Sequence, residues 1–210
     1  VLYDQIYWQL TYGDIRHYDP VSLRPQMKAY TVYIDAISKC FAATGVRVGW
    51  AMGPEAIMSK MKAILSHVGA WAPMAEQKAV ARFLLQYDDI NNYLQHFKAE
   101  ISLRLQKIYN GFMRLKAEGL PVDAIAPQAA IYLTVRVTAR GMKTTSEQLL
   151  EQQKDVTGYL LNEAGIALVP FYAFGASKDS SWYRLSVGAC KKEEIDAMIE
   201  ALAQALRKLK

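Results

Sequence analysis

Cysteine is scarce in this chain: Cys40 and Cys190 are the only two in 210 residues, far apart and each in apolar company. Buried, reduced thiols in a reducing compartment are the expectation, although spacing alone leaves a bridge between them open. Long apolar runs are missing too. No stretch of 18 residues is both apolar and uncharged, so no transmembrane helix is expected, and no signal peptide is visible. A basic stripe interleaved with aromatics is also absent. The net charge is +5, but Lys and Arg are scattered. The small clusters Lys191-Lys192 and Arg207-Lys208-Lys210 fall near helix ends, where cations favour the dipole. Nucleic-acid binding by this segment is therefore not expected. Internal repeats, low-complexity tracts and a metal-ligand set are likewise missing.

What remains has the composition of a soluble globular protein, 52% hydrophobic and 21% charged. The length suits one large domain, or one and a half, with a sizeable core. A cytoplasmic location is expected. The first residue is Val, and Val1 to Trp8 reads like the middle of a strand, so the chain is expected to be a piece of a longer protein.

Val1 to Tyr3 reads as a buried strand ending at Asp4, followed by a loop-rich segment through Gly13-Asp14, Asp19-Pro20 and Arg24-Pro25. The β-branched and aromatic run Tyr30–Ile34 predicts a strand, and Gly45–Met52 a second. Between them Asp35–Thr44 carries Lys39 on a turn. Pro54-Glu55 opens a helix expected to end near Leu65. Ser66–Pro73 reads as a loop and Met74 to about Tyr87 as a helix. From Ile90 to Lys116 apolar residues recur at three- and four-residue steps, predicting a long amphipathic helix stopped by Glu118-Gly119-Leu120-Pro121. A strand over Ala130–Val137, a helix over Ser146–Ala164 with Ser146 as N-cap, strands at Ile166–Val169 and Trp182–Val187, and an amphipathic helix over Lys192–Leu209 complete the chain. The order predicts an α/β fold with a smaller α+β layer after it.

Lys39 is the residue with a chemical reading. It follows an apolar, β-prone run, has Ser38 beside it, and precedes Arg47, which sits between Gly45 and Gly49. An amine can form a Schiff base with a carbonyl, and a hydroxyl and a guanidinium can hold a phosphate. Pyridoxal 5'-phosphate (PLP) carries both groups.

Three pieces then line up in order: Asp4-Gln-Ile-Tyr7, Ser38-Lys39 with Arg47, and Trp182-Tyr-Arg184-Leu-Ser-Val-Gly188. Together they resemble the C-terminal half of the class I/II, fold-type I, PLP-dependent aminotransferases, typified by aspartate aminotransferase. The resemblance covers essentially the whole chain. It implies a partial PLP-dependent transferase fold: residues 1–95 as the C-terminal portion of the large PLP-binding domain, and 96–210 as the small domain with its linking helix. It implies Lys39 as the lysine that carries PLP and moves the proton, Asp4 as partner of the pyridinium nitrogen, and Tyr7 as donor to the 3'-oxygen. Ser38 and Arg47 would be phosphate anchors, and Arg184 the two-point anchor of the substrate carboxylate. It also implies amino-acid and 2-oxo-acid substrates and a homodimer with shared active sites. In that dimer the Ser66–Pro73 loop, with His67 and Trp71, would reach the neighbouring subunit, and Val169–Gly175 would close near the substrate.

The chain departs from the family pattern in places. Gln5 stands where the family often has an acid, and Ala36 where many members have a phosphate-binding serine. The phosphate loop, the ring-stacking aromatic and an asparagine near the 3'-oxygen have no counterpart here, so these residues in isolation are expected to be inactive. Rival readings are another PLP chemistry on the same fold, such as cysteine-conjugate β-elimination, an aminotransferase-like domain of a PLP-sensing transcription regulator, or an inert dimerisation piece.

Overall fold

A computed structural model describes residues Val1–Lys210, which divide into two compact units, Val1–Lys98 and Ala99–Lys210. No helix is long and apolar enough to cross a membrane.

In the first unit the β-prone segments form a three-stranded sheet, β1 (Leu2–Asp4), β2 (Val32–Ala36) and β3 (Gly49–Met52), in that spatial order. β1 and β2 run parallel, with Asp4 opposite Ile34. β2 and β3 run antiparallel, with Ala36 opposite Gly49. The central strand starts two residues later than its β-branched run predicts. Tyr30 closes a 3-10 turn over Pro25–Ala29 and is 68% exposed. The third strand is shorter than expected because Thr44–Val46 forms another 3-10 turn and Arg47 takes a left-handed backbone.

The segment expected to be loop holds one helical turn, α1 (Pro20–Leu23). Asp19 caps it, accepting the amides of Val21 and Ser22 at 2.9 and 3.1 Å, while Ser22 Oγ accepts the Asp19 amide at 3.1 Å. This reciprocal box satisfies donors the short helix leaves open. Asp19 also accepts the Tyr33 hydroxyl from β2, which ties the loop to the sheet.

α2 (Glu55–Val68) starts behind Pro54 and ends at Gly69, whose left-handed backbone lets its amide return to Leu65 O at 2.9 Å. It therefore runs past the expected end at Leu65. It buries no residue, and Ile57, Ile64 and Val68 are exposed. α3 (Met74–Phe83) contributes Val80 to a local core with Ile37 and Val48, flanked by Phe41, Trp50 and Leu84.

The long helix α4 (Tyr87–Ala117) begins in the first unit and continues in the second. In the second unit it buries Ile101, Leu105, Ile108, Phe112 and Leu115, the predicted apolar stripe. Phe112 is fully buried, so truncation to Ala is worth about 3–5 kcal/mol. Its sheet is antiparallel in the order β4 (Val122–Ala124), β5 (Tyr132–Val137), β7 (Trp182–Ser186), β6 (Val169–Pro170). Leu133, Val135 and Val137 on β5, and Tyr183 and Leu185 on β7, occupy one buried parity. α5 (Gln153–Ala164) packs against α6 (Ile195–Arg207), where the Tyr159 hydroxyl donates to Ala205 O at 2.7 Å.

The helix expected from Ser146 begins later. Gln152 is its N-cap, and Asp155 closes the box by accepting the Gln152 amide at 2.8 Å. Ser146 instead lies in a tight turn: its hydroxyl meets Thr144 Oγ1 at 2.9 Å, and Glu147 has a positive φ. Lys143 pairs with Leu149 there and exchanges two backbone bonds with Lys210.

Candidate functional site

Strand direction concentrates the first unit's chemistry at one sheet edge. β1 and β2 are parallel, so Asp4 closes β1 at the same end at which β2 hands the chain to Ser38-Lys39. β3 is antiparallel, so Arg47, just before its start, arrives at that end as well. The carboxyl ends of parallel strands are the usual place for a ligand in open α/β sheets.

The turn after β2 is anchored on both sides of the lysine. Ile37 and Cys40 are each 4% exposed, and the Phe41 ring meets Phe83 edge-on at 5.0 Å and Tyr93 at 6.0 Å. Burial of these neighbours leaves Ser38 and Lys39 half-buried at the edge. Desolvation pushes the Cys40 thiol up to about 12, so it stays a protonated, inert packing group. Both cysteines are free.

Arg47 holds a left-handed backbone that non-glycine residues rarely adopt. Its Nη1 donates to Thr44 O at 2.7 Å, bracing the loop and leaving further N–H donors. Two residues on, a Cβ on Gly49 would lie 3.0 Å from Asp35 O and 3.2 Å from the Ala36 Cβ. Glycine thus lets the strand behind Arg47 approach β2 closely.

Asp4 is exposed, and its Oδ1 accepts the Ile6 amide at 3.2 Å. Tyr7 is half-buried in the turn that follows, where the Trp8 amide donates to Gln5 O at 2.8 Å. The departure at Gln5 has a counterpart on β2. Gln5 Nε2 donates to Asp35 Oδ2 at 3.4 Å, and Trp8 Nε1 donates to the same oxygen at 2.9 Å. Desolvation holds the Asp35 carboxyl above its ordinary range despite these bonds. Sequence reading missed Asp35. Its signal was an acid on the same strand face as Thr31 and Tyr33, inside an otherwise apolar run.

Arg184 lies in the second unit on β7, paired with Thr134 of β5 and Val169 of β6. Its guanidinium stacks between the rings of Tyr132 and Phe174, at 4.3 and 4.2 Å from their centroids. Two ring faces hold the group flat while its N–H edge keeps its donors. Phe174 lies in the Val169–Gly175 segment expected near the substrate, but its pairing with Tyr132 around Arg184 was not foreseen, since a stack across β5 and the turn after β6 has no local signature.

All ion pairs of the chain lie in the second unit, and none uses Arg184. Lys39, Arg47 and Arg184 thus each keep their charge clear of a protein carboxylate. The donor set at the first unit's edge fits an aldehyde that carries a phosphate: a half-buried amine, a neighbouring hydroxyl, a guanidinium and a separate carboxylate.

Comparison with known proteins points the same way. Aspartate aminotransferase of Geobacillus stearothermophilus is 32% identical over 181 residues, 84% of this chain and 42% of that protein. Aspartate aminotransferase of Rhizobium meliloti is 28% identical over 210 residues, all of this chain and 48% of that protein. The crystal structure of the aspartate aminotransferase from Rhizobium meliloti superposes with a TM-score of 0.83 at 26% identity, covering 100% of this chain and 50% of that one. The chain spans about half the length of the curated relatives it matches. The sequence model of the family "Aminotransferase class I and II" matches residues 1–202, nearly from end to end, and the chain belongs to that family.

Proposed function

We propose that the protein carrying this chain is a PLP-dependent aminotransferase that moves an amino group between an α-amino acid and a 2-oxo acid. The observation that carries this reading is the arrival of Asp4, Ser38-Lys39 and Arg47 at one sheet edge. When bound, PLP supplies the electron sink that this chemistry needs. Lys39 Nζ would hold the cofactor through its aldehyde and would be the group that carries the substrate's α-proton. Asp4 pairs with the ring nitrogen and keeps it protonated. Tyr7 donates to the ring oxygen, while Ser38 and Arg47 take the phosphate. Arg184 takes the substrate carboxylate with two parallel N–H bonds, its plane set by Tyr132 and Phe174. That contact reads only the carboxylate common to all amino acids, so the side-chain preference lies elsewhere.

The intact protein works as a homodimer. Val68 and Trp71, at the end of α2 and in the loop behind it, are 69% and 50% exposed and supply apolar surface for the contact. His67 belongs to the last turn of α2 rather than to that loop.

The test is borohydride trapping. Intact protein is incubated with PLP, reduced, digested and searched by mass spectrometry for pyridoxyl-lysine. Label confined to Lys39 is expected, and its loss in Lys39→Ala. An unlabelled Lys39 in a preparation that holds PLP would overturn the catalytic reading.

A further inference from the structure

Asp35 is an expensive residue where it stands. The residue is 6% exposed, and its carboxylate takes part in no ion pair of the chain. A buried charge without a cation needs hydrogen bonds to survive. Here all of them come from neutral N–H groups: Ala36 N at 2.7 Å, Trp8 Nε1 at 2.9 Å and Gln5 Nε2 at 3.4 Å. The last two start from the two ends of one turn. The Gln5 amide still donates to Ile34 O at 3.0 Å, extending the parallel ladder beyond Asp4. The chain then leaves the sheet and closes its turn with the bond from Trp8 N to Gln5 O. Asp4 precedes that turn and Tyr7 lies inside it. The indole of Trp8 is held from its other side by the His17 ring, with centroids 6.1 Å apart, and His17 Nε2 meets the Tyr3 hydroxyl at 2.9 Å.

We propose that Asp35 is a positioning residue that staples the Gln5–Trp8 turn to the strand delivering Lys39, and so sets where Asp4 and Tyr7 stand relative to the lysine. Two consequences follow from its chemistry. Residue 5 must be a neutral donor, because a carboxylate there would face Asp35 at hydrogen-bond distance, and like charges so close cannot both stay ionised. Exchanging the halves restores only the contact between positions 5 and 35: an acid at 5 accepts from an amide at 35, but that amide then no longer offers the oxygen to which Trp8 Nε1 donates. The cofactor-facing part of this proposal rests on the aminotransferase reading; the staple itself does not.

The experiment compares intact wild-type protein with Gln5→Glu, Asp35→Asn, the Gln5→Glu/Asp35→Asn double variant and Trp8→Phe. Three quantities are read: the thermal midpoint, the Trp8 indole N–H resonance (assigned by its loss in Trp8→Phe), and retention of PLP on Lys39 after borohydride. Gln5→Glu and Asp35→Asn are each expected to move the indole resonance and to weaken PLP retention about tenfold, as coupled neighbours do. The double variant is expected to recover PLP retention in part, above either single variant and below wild type because the Trp8 arm stays broken, a return that loss of packing alone would not give. Additive losses in the double variant, or an indole resonance and PLP retention unmoved by Asp35→Asn, would overturn the staple. If wild-type Lys39 takes no label, the aminotransferase reading fails instead. The staple then stands or falls on the indole resonance and on midpoint recovery in the double variant.

Discussion

Two glycines in the middle of helices give opposite expectations for the same substitution. Gly111 sits in α4 where that helix meets α6. A Cβ there would lie 2.6 Å from Ile199 Cγ1, 2.7 Å from Cδ1 and 3.2 Å from Cγ2. Ile199 is 2% exposed and β-branched, with one strongly preferred rotamer in a helix. Rotation about its χ1 exchanges one offending carbon for another, so relief requires the helices to part. Overpacking of this kind costs about 1–3 kcal/mol. Gly→Ala in a helix returns about 1 kcal/mol of intrinsic propensity. The net for Gly111→Ala is a destabilisation of about 1 kcal/mol, a loss of roughly 4 °C in Tm for a unit of this size. Gly158 in α5 has nothing within 4 Å of the added carbon. Gly158→Ala therefore keeps the propensity gain, about 0.5–1 kcal/mol in the stabilising direction. Thermal unfolding followed by far-UV circular dichroism separates the two. Combining Gly111→Ala with Ile199→Ala should cost about 2 kcal/mol less than the sum of the single changes, since the whole clash disappears with the isoleucine and only the propensity gain remains. Equal stabilisation by Gly111→Ala and Gly158→Ala would refute the close helix contact and the arithmetic built on it.

The other predictions concern a carboxylate, a cap and a stack. The Tyr33 hydroxyl, with the Ser22 and Val21 amides, holds Asp19 down to about 2. Its folded-state pKa lies below the unfolded value near 4, so its contribution is complete above that pH and lost as pH falls through about 2. Asp19→Asn should flatten the acid limb of midpoint against pH in that window; an unchanged limb would remove Asp19 as its source. Asp155→Ala opens the Gln152 box and should cost about 1 kcal/mol, read by urea titration, whereas Ser146→Ala should cost under about 0.5 kcal/mol. Arg184→Lys keeps the charge but loses the planar fork between two rings, and should weaken binding of a carboxylate-bearing substrate analogue by tenfold or more. Phe174→Ala should weaken it about threefold by freeing one face, and equal affinity in both variants would separate the stack from carboxylate binding.

Much of this molecule was legible wherever a local pattern sufficed. The stripe from Ile101 to Leu115, the apolar face of α6 and the alternation of β5 are periodic signals that burial then realises. The turn bearing Lys39 was legible because β-branched residues precede it and glycines follow. Long-range partners decided the rest. The start of β2 is set by pairing with Leu2–Asp4, so Tyr30 and Thr31 stay outside the strand despite their propensity. β4 is three residues long and exists because β5 pairs with it. Ser146 has the chemistry of an N-cap, but Lys143 is tied to Lys210, across most of the unit, and the helix waits until Gln152. At the site, Asp4, Ser38-Lys39 and Arg47 reached one end of the first sheet, while Asp35, Trp8, Tyr132 and Phe174 emerged as neighbours only from contacts between segments far apart in the chain.

The strict alternation of β7 also bears on how this segment can change length over time. Tyr183 and Leu185 point to the buried side, while Trp182 and Arg184 take the other. Inserting or deleting one residue within the strand would turn Arg184 into the apolar layer and bring Tyr183 out between the rings. Lengthening the exposed Gly175–Asp179 stretch before it leaves that parity untouched. Gaps among descendants of this gene should therefore collect on the amino-terminal side of Ser180 and stop abruptly at Trp182, a boundary drawn by the pleat itself.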